Sequence, residues 1–391
     1  MNIPYGRQNV NQDDIDAVAQ VLKSDYLTQG PVVPKFEASV ASYSGAKYAV
    51  AVNSATSALH IACLALNVKP GDYVWTSPIT FVASANCALY CGANIDFIDI
   101  DPISYNMSVI ALAEKLEYAK KTNKLPKVVI PVHLSGQSCE MMEIHRLSRE
   151  YGFKIIEDAS HAIGAKYLNK NVGCCLYSDI TIFSFHPVKI VTSVEGGMAV
   201  TNSPKLSNIM QRLRSHGITR DPSEMKGLAD GPWFYQQLDL GFNYRMSDVH
   251  AALGLNQMKR LNEFIVKRNI LASNYDNLLE GLPLKTPVQS KDCYSSFHLY
   301  VIRIPKKTHN FDRLQIFERL RSNGIGVNVH YIPIYRQPYF QKFNYNYEDF
   351  PESESYYSEA ISLPLFPSLT KEQQEEITNI IMSPIGHQAL F

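Results

Sequence analysis

The strongest constraint on the fold is a regular alternation of strand-like and helical segments between residues 36 and 202. The strand-like segments are short apolar runs, as buried strands are: KYAVAVN, YVWTSP, NIDFIDID, KVVIPVH, FKIIEDAS and ITIFSF. The helical segments are KFEASVASYSG, SATSALHIACLALN, FVASANCALYCG and CEMMEIHRLSREYG. This alternation predicts an α/β layer structure around a mainly parallel sheet. Right-handed connections would gather the loops after the strands along one edge, where ligands bind.

The pattern changes after residue 245. A long helix with a single break is predicted in SDVHAALGLNQMKRLNEFIVKRNILASNYDNLLEGL, followed by strands in HLYVIRI and GVNVHY and helices in RLQIFERLRSNG and TKEQQEEITNIIMS. These segments predict a smaller α+β domain. We therefore expect a large domain over residues 1–250, including the N-terminal segment, and a C-terminal domain over 251–391. The polar segment Thr219–Gly231 is predicted to be a mobile loop.

Charge and cysteine content argue against several classes of function. The chain has 37 Lys and Arg residues against 37 Asp and Glu, without a block of like charge, so nucleic-acid binding is not expected. No signal peptide and no run of 18 apolar residues is seen, which predicts a cytoplasmic protein without a membrane span. The seven cysteines include no CxxC pair, so reduced thiols are favoured over a metal site.

Three predicted strand ends carry polar residues. In VNSATSAL, the residues Ser54, Ala55 and Thr56 would begin a helix, whose free N–H groups suit a phosphate, although an ordinary helix cap would look the same. In IIEDASHAIG, Asp158 follows an apolar strand and would either cap the next element or face a ligand cation. His161 follows three residues later, and a structural histidine is the alternative there.

The third strand end is FSFHPVK, with Ser184 and Lys189. Lys189 is either a solvated loop lysine or an amine held in a cleft. A lysine, a carboxylate and a phosphate cradle at one sheet edge together suggest a pyridoxal 5′-phosphate (PLP) site. Lys189 would form a Schiff base with the cofactor aldehyde, and Asp158 would keep the ring nitrogen protonated. The helix N-terminus and Ser184 would hold the phosphate.

Motifs along almost the whole chain resemble the DegT/StrS family of nucleotide-sugar aminotransferases. They are NSATSAL, TSPITFVASAN, EDASHAIG, SFHPVK, EGGM, GFNYRMSD and LPLFP. The most specific are SFHPVK with its lysine and EDASHAIG with its aspartate. The resemblance implies the fold type I of PLP-dependent transferases and a homodimer with active sites at the subunit interface.

The resemblance also implies site residues. Lys189 would be the Schiff-base lysine and Asp158 the pyridinium partner, with Phe81 stacked on the ring and His161 near the cofactor hydroxyl. The implied phosphate ligands are Ala55, Thr56 and Ser184, together with Asn243 of the partner subunit. The residues implied for the nucleotide-sugar site are Tyr5, Asp25, Tyr26, Leu27, Thr28, Arg245, Asn328, Val329, His330 and Tyr331. Packing roles for Tyr5 and Tyr26, and a surface ion pair for Arg245, are the alternatives.

The implied reaction moves an amino group from L-glutamate to C4 of a UDP-linked 2-acetamido-2,6-dideoxy-4-keto-hexose. A closer likeness to family members of pseudaminic acid biosynthesis is carried by LTQGP, NSATSALH, SHGITRD and NVHYIPIY. Family members with histidine in place of the lysine are dehydratases, and Lys189 argues against that chemistry. The alternatives are a D-configured 4-keto or a 3-keto sugar as substrate, a non-catalytic regulator, and a metal-dependent enzyme. No role is assigned to Glu195.

Overall fold

The computed structural model describes residues 2–305 and 312–386. Its α-helices are α1 (Gln12–Leu22), α2 (Val32–Ser44), α3 (Ala55–Ala65), α4 (Ala83–Tyr90), α5 (Val109–Thr122), α6 (Met141–Tyr151), α7 (Pro204–Leu213), α8 (Asp248–Met258), α9 (Leu261–Leu278), α10 (Arg313–Ser322), α11 (Pro338–Gln341), α12 (Pro351–Glu359) and α13 (Lys371–Gly386). Its strands are β1 (Tyr48–Val52), β2 (Tyr73–Thr76), β3 (Asn94–Phe97), β4 (Val128–Ile130), β5 (Lys154–Asp158), β6 (Lys166–Tyr167), β7 (Lys170–Asn171), β8 (Ile180–Ser184), β9 (Gly197–Thr201), β10 (Ile218–Thr219), β11 (Gln236–Gln237), β12 (Cys293–Tyr294), β13 (Tyr300–Arg303) and β14 (Ala360–Leu363). Short 3₁₀ helices lie at Leu134–Gly136, Ile334–Arg336 and Tyr347–Asp349.

The central sheet has seven strands in the order β1-β9-β8-β5-β4-β2-β3. The strands from β8 to β3 in this order pair in parallel; Ile156, for example, lies opposite Ile180. β9 runs antiparallel to both β8 and β1, so β1 points the same way as the other five. The prediction of an α/β fold with a mainly parallel sheet is confirmed, and the carboxyl ends of six strands share one edge.

Both faces of the sheet are covered because its strands are apolar on both sides. On β1, Val50 and Val52 belong to a buried cluster with α3, α4 and α7, while Ala49 and Ala51 belong to a second cluster with α2, α8 and the start of α9. Alternate residues of a strand point to opposite faces, so these clusters lie on opposite sides. Strands buried on both faces read as continuous apolar runs, which is how they appear in the sequence.

A smaller sheet and a separate core are built from the C-terminal part of the chain. β13 pairs antiparallel with β14, and the buried residues of this core come from β13, β14, α9, α10 and α13. The N-terminal residue Ile3 also joins it, through a bridge to Ile325. The predicted break in the long helix is confirmed between α8 and α9. The division at residue 250 stays a prediction, and residues 306–311 and 387–391 lie outside the described part.

One predicted strand is absent from the described residues, and one predicted loop lacks regular secondary structure, as expected. The predicted strand in GVNVHY is wrong: with the rest of the described chain, residues 326–331 make a single bridge, between Asn328 and Ser362, because the segment leaves the small sheet to line a cavity. The predicted loop Thr219–Gly231 has no helix or strand beyond Thr219, which ends β10. None of the helices within residues 2–305 and 312–386 combines the length and the apolar character of a membrane crossing.

Candidate active site

The three polar strand ends meet in a cavity of about 500 Å³, here called the central cavity. Val52, Asp158 and Ser184 each end one of the parallel strands β1, β5 and β8, so the residues at and after these ends converge. The predicted site residues that line this cavity are Tyr5, Ala55, Thr56, Phe81, Asp158, His161, Ser184, Lys189, Asn328, Val329, His330 and Tyr331. Residues from all three predicted strand ends therefore line one cavity.

Lys189 lies in the loop between β8 and β9, where its backbone N–H donates to His186 O at 2.9 Å. Its side chain lines the central cavity and is partly buried. Removal of the ammonium from water lowers the pKa of Lys189 to about 8, against the attraction of the Asp158 carboxylate. About half of this amine is therefore uncharged at pH 8, and roughly a tenth at pH 7, and the uncharged amine is the form that acts as a nucleophile or base.

Asp158 is a buried carboxylate that makes no ion pair among the described residues, although it attracts the nearby Lys189 ammonium. It is only 5% exposed; Ser84 Oγ donates to its Oδ2 at 2.6 Å and the Ser160 N–H to its Oδ1 at 3.1 Å. In the described part of the chain, no Lys, Arg or His nitrogen lies within 4.0 Å of it. A buried charge normally has a counter-ion, so this site suits a ligand that brings a positive charge, such as a protonated pyridine ring.

The N-terminus of α3 offers unpaired donors to the same cavity. Ser54 caps the helix, its Oγ accepting from the Ser57 N–H at 3.1 Å. Among the described residues, the backbone N–H groups of Ala55 and Thr56 have no acceptor and the Ser184 hydroxyl has no partner. Gly197 lets β9 start against this helix end, since a Cβ there would lie 2.5 Å from Ala55 N. The arrangement suits a phosphate.

Aromatic and histidine side chains form the rest of the wall. The Ser135 N–H donates to His161 Nδ1 at 3.3 Å, so the ring proton lies on Nε2 and is donated to the Tyr331 hydroxyl, 3.2 Å away. Burial, with nearby Lys189 and His330, lowers the pKa of His161 well below its usual value, so the ring is neutral. Phe81 is 58% exposed at the cavity, with its ring centroid 6.2 Å from that of Tyr331.

The N-terminal and C-terminal parts of the chain close the other end of the cavity. The ring centroids of Tyr5 and His330 lie 5.6 Å apart, and His330 Nδ1 is 2.8 Å from Ser362 Oγ. Burial, with a smaller contribution from Lys189, lowers the pKa of His330 to about 4. Asn328 is exposed and its Oδ1 accepts from the Val329 N–H at 2.8 Å.

The other predicted residues lie outside the central cavity of the single chain. Asp25 and Tyr26 line a different cavity of about 460 Å³ beside α1, α2 and α8. Leu27 and Thr28 are exposed and bonded to the segment that begins α8. These contacts hold both residues against the start of α8, and neither is among the described residues that line the central cavity.

The remaining two predicted residues lie beside β10. Asn243 is exposed and bridged to Ser215. Arg245 lines a cavity of about 480 Å³, here called the arginine cavity, together with Arg212, Arg214 and Arg220.

The structure adds residues that the sequence analysis did not single out. His298 lines the central cavity, with its ring centroid 4.3 Å from that of His161, and precedes β13 as the first residue of the run HLYVIRI. Thr80 also lines it, and Ser84 bonds the carboxylate from α4. A polar residue at the start of an apolar strand was an available signal for His298. Ser84 sits inside an apolar helical run and gave none.

Three features of the central cavity together fit PLP: the lysine with a lowered pKa, the carboxylate without an ion pair, and the open helix N-terminus. They indicate the class of PLP-dependent transferases. The chain belongs to the DegT/DnrJ/EryC1/StrS aminotransferase family, whose model matches residues 8–382. It is a PLP-dependent sugar aminotransferase. The regulator alternative is therefore wrong.

Individual relatives agree with this assignment. The chain is 38% identical over 382 residues to the UDP-4-amino-4,6-dideoxy-N-acetyl-beta-L-altrosamine transaminase of Campylobacter jejuni, covering 97% of each chain. It is 36% identical to the spore coat polysaccharide biosynthesis protein SpsC of Bacillus subtilis, covering 97% and 96%. Among solved structures, Helicobacter pylori PseC, an aminotransferase of pseudaminic acid biosynthesis, superposes with a TM-score of 0.88 at 32% identity, covering 99% of this chain and 100% of that chain.

Proposed function

We propose that this enzyme transfers an amino group from L-glutamate to C4 of a UDP-linked 2-acetamido-2,6-dideoxy-4-keto-hexose. The proposal is supported by similarity over nearly the whole chain to enzymes whose names describe a 4-amino-4,6-dideoxy sugar nucleotide or the pseudaminic acid pathway. It also rests on a cavity that joins the cofactor residues to the segments around Tyr5 and Asn328–Tyr331.

PLP supplies the reaction with a carrier that accepts the amino group of the donor and passes it to the keto sugar. Lys189 would be its attachment point, and Asp158 would face the ring N–H. Ala55, Thr56 and Ser184 would hold the phosphate, Phe81 would cover the ring, and His161 would bond near the cofactor hydroxyl.

Lys189 would then move the protons of both half-reactions. Its uncharged Nζ would take the proton from the donor Cα, and in the second half-reaction its protonated form would deliver a proton to the sugar C4. The low polarity around the amine would favour its uncharged form, and the lowered pKa of His161 makes that ring a weak base for this proton.

A second copy of the chain would complete the site. The substrate brings a diphosphate, yet none of the described residues that line the central cavity is an arginine. Arg245 and Asn243 of the partner subunit would supply contacts to the diphosphate and the cofactor phosphate. Exposed apolar side chains at Leu228, Trp233 and Leu240, next to the arginine cavity in sequence, support burial of this surface in a homodimer.

The observation that carries the proposal is the joint presence of Lys189 and the unpaired Asp158 in a cavity shared with the segments that resemble the sugar site. The test is an assay of purified, PLP-loaded protein with L-glutamate against a panel of UDP-keto sugars. We expect the UDP-linked 4-keto sugar of L configuration to react fastest, with the new amine at C4 located by NMR. Faster turnover of a D-configured 4-keto or a 3-keto sugar would overturn the substrate assignment but not the class of reaction.

A further inference from the structure

A chain of two hydroxyl groups reaches the carboxylate of Asp158 from the start of α4. Ser84 Oγ lies 2.6 Å from Asp158 Oδ2, and Thr80 Oγ1 lies 2.8 Å from Ser84 Oγ. Ser84 is completely buried and Thr80 is 2% exposed, so water does not compete for these bonds. The two elements are distant in sequence, and this contact joins α4 to the end of β5.

The direction of each bond in this chain is fixed by chemistry. A carboxylate only accepts hydrogen bonds, so Ser84 must donate its single hydroxyl proton to Asp158. Ser84 Oγ can then only accept, which makes Thr80 the donor to Ser84. The order of donation is therefore Thr80 to Ser84 to Asp158.

These bonds also fix how the carboxylate is turned. Ser84 occupies one lone pair of Oδ2, and the Ser160 N–H, on the following loop, occupies one of Oδ1. The two oxygens are therefore held by separate elements. Rotation about the Cβ–Cγ bond of Asp158 would break at least one of these hydrogen bonds, and hydrogen bonds to a charged acceptor are stronger than those between neutral groups. The remaining lone pairs are free for a donor in the central cavity.

We infer that Ser84, supported by Thr80, is a positioning residue that orients Asp158 toward the ring nitrogen of PLP. The inference rests on the proposed role of Asp158. Ser84 acts only through the carboxylate and the ring nitrogen. Its contribution to cofactor binding therefore disappears when the cofactor has no nitrogen at that ring position.

The test compares Ser84→Ala with the unaltered enzyme in the binding of two cofactors: PLP, and its deaza analogue with a C–H group in place of the ring nitrogen. We expect Ser84→Ala to weaken the equilibrium binding of PLP by roughly tenfold, as for loss of a hydrogen bond to a charged group. Binding of the deaza analogue should not change. Thr80→Val, which keeps the side-chain shape, should weaken PLP binding by a smaller factor.

A spectroscopic measurement adds an independent readout. A ring nitrogen held less firmly in its protonated form withdraws fewer electrons from the atoms bonded to Lys189. The pH midpoint of the visible absorbance change of the PLP-loaded enzyme should therefore move upward in Ser84→Ala. The matched control is Ser44→Ala, since Ser44 is 2% exposed and, among the described residues, its hydroxyl bonds backbone groups alone, donating to Ala41 O and accepting from the Ala46 N–H. It should leave both cofactor affinities and the midpoint unchanged.

Equal weakening of both cofactors by Ser84→Ala, or no change in either, overturns the positioning role. The variant Asp158→Asn then distinguishes a failure of the role of Ser84 from a failure of the role of Asp158. If Asp158→Asn discriminates between PLP and the deaza analogue, the proposed role of Asp158 stands and only the role of Ser84 is wrong. If it does not discriminate, the assignment of Asp158 itself fails.

Discussion

The central cavity and the arginine cavity are similar in volume, about 500 and 480 Å³, and opposite in chemistry. The first holds Lys189, Asp158 and neutral histidines, and none of its described lining residues is an arginine. The second holds four arginines among its described residues, together with the carboxylates of Asp221 and Glu224. Low polarity favours the uncharged form of Lys189 in the first cavity, whereas the arginines of the second offer positive charge to an anionic ligand.

The pairing of the arginines shows which of them remain available. Arg212 bonds Glu224 and Asp239, and Arg214 bonds Glu37. Arg245 donates only to Ser215 Oγ, at 3.2 Å, and has no carboxylate within ion-pair distance in the part of the chain that is described. A guanidinium that is fixed in place but not neutralised is suited to an incoming phosphate.

The largest effect is expected in the central cavity. Lys189→Ala should lower turnover by at least about four orders of magnitude, because it removes both the attachment point and the proton carrier. Lys189→Arg should do the same, since a guanidinium stays protonated. The measurement is 2-oxoglutarate release, with the exposed Lys47→Ala as the control of unchanged activity. Normal turnover by either Lys189 variant would contradict the assignment of proton transfer to the central cavity.

A smaller loss is expected from Asp158→Asn. The amide keeps the shape but removes the negative charge that holds the ring N–H, so kcat should fall by about 10²–10³-fold. Circular dichroism should establish that the variant is folded. A wild-type kcat in the folded variant would show that Asp158 does not act by holding the protonated ring nitrogen.

The arginine cavity is tested by Arg245→Ala. Loss of a charge-assisted bond to the diphosphate should raise the KM for the UDP-sugar by about 10- to 100-fold with little change in kcat. The exposed Arg146→Ala should leave the KM unchanged.

Mixing chains sharpens this comparison by asking which copy supplies Arg245. In a randomly mixed population of Lys189→Ala and Arg245→Ala chains, half of the dimers are mixed and one of their two sites has both residues intact. Activity at low substrate should therefore recover to about a quarter of the wild-type value. No recovery after demonstrated exchange of subunits would place Arg245 in the site of its own chain.

The smallest effect concerns pH. The pKa of Lys189 is lowered to about 8 by burial, so the uncharged amine increases as pH rises through 8 and is nearly complete above it. The rate at which PLP attaches to the cofactor-free enzyme should rise by about tenfold per pH unit below 8 and level off above. Stopped-flow absorbance gives this rate. A midpoint near the ordinary lysine value would show that Lys189 behaves as a solvated side chain.

The sequence by itself determined the parallel sheet and the chemistry at its edge. Apolar runs that alternate with helical ones are a local signal, and residues that follow parallel strands must share an edge. Lys189, Asp158 and the N-terminus of α3 could therefore be brought together before any coordinates were known. The resemblance of short motifs added Tyr5 and Asn328–Tyr331, which also line the cavity.

Only the tertiary structure decided which of the remaining residues belong to that cavity. Asp25 and Arg245 were predicted for the same site but line separate cavities, while His298 and Ser84 join the central cavity or its carboxylate from segments without a distinctive pattern. Residues 326–331 were predicted as a strand, yet no continuous partner strand lies beside them in residues 2–305 and 312–386. The periodicity of apolar residues shows which side of a segment is apolar. It does not show which other segment that side packs against, because this depends on contacts between parts of the chain that are far apart in sequence.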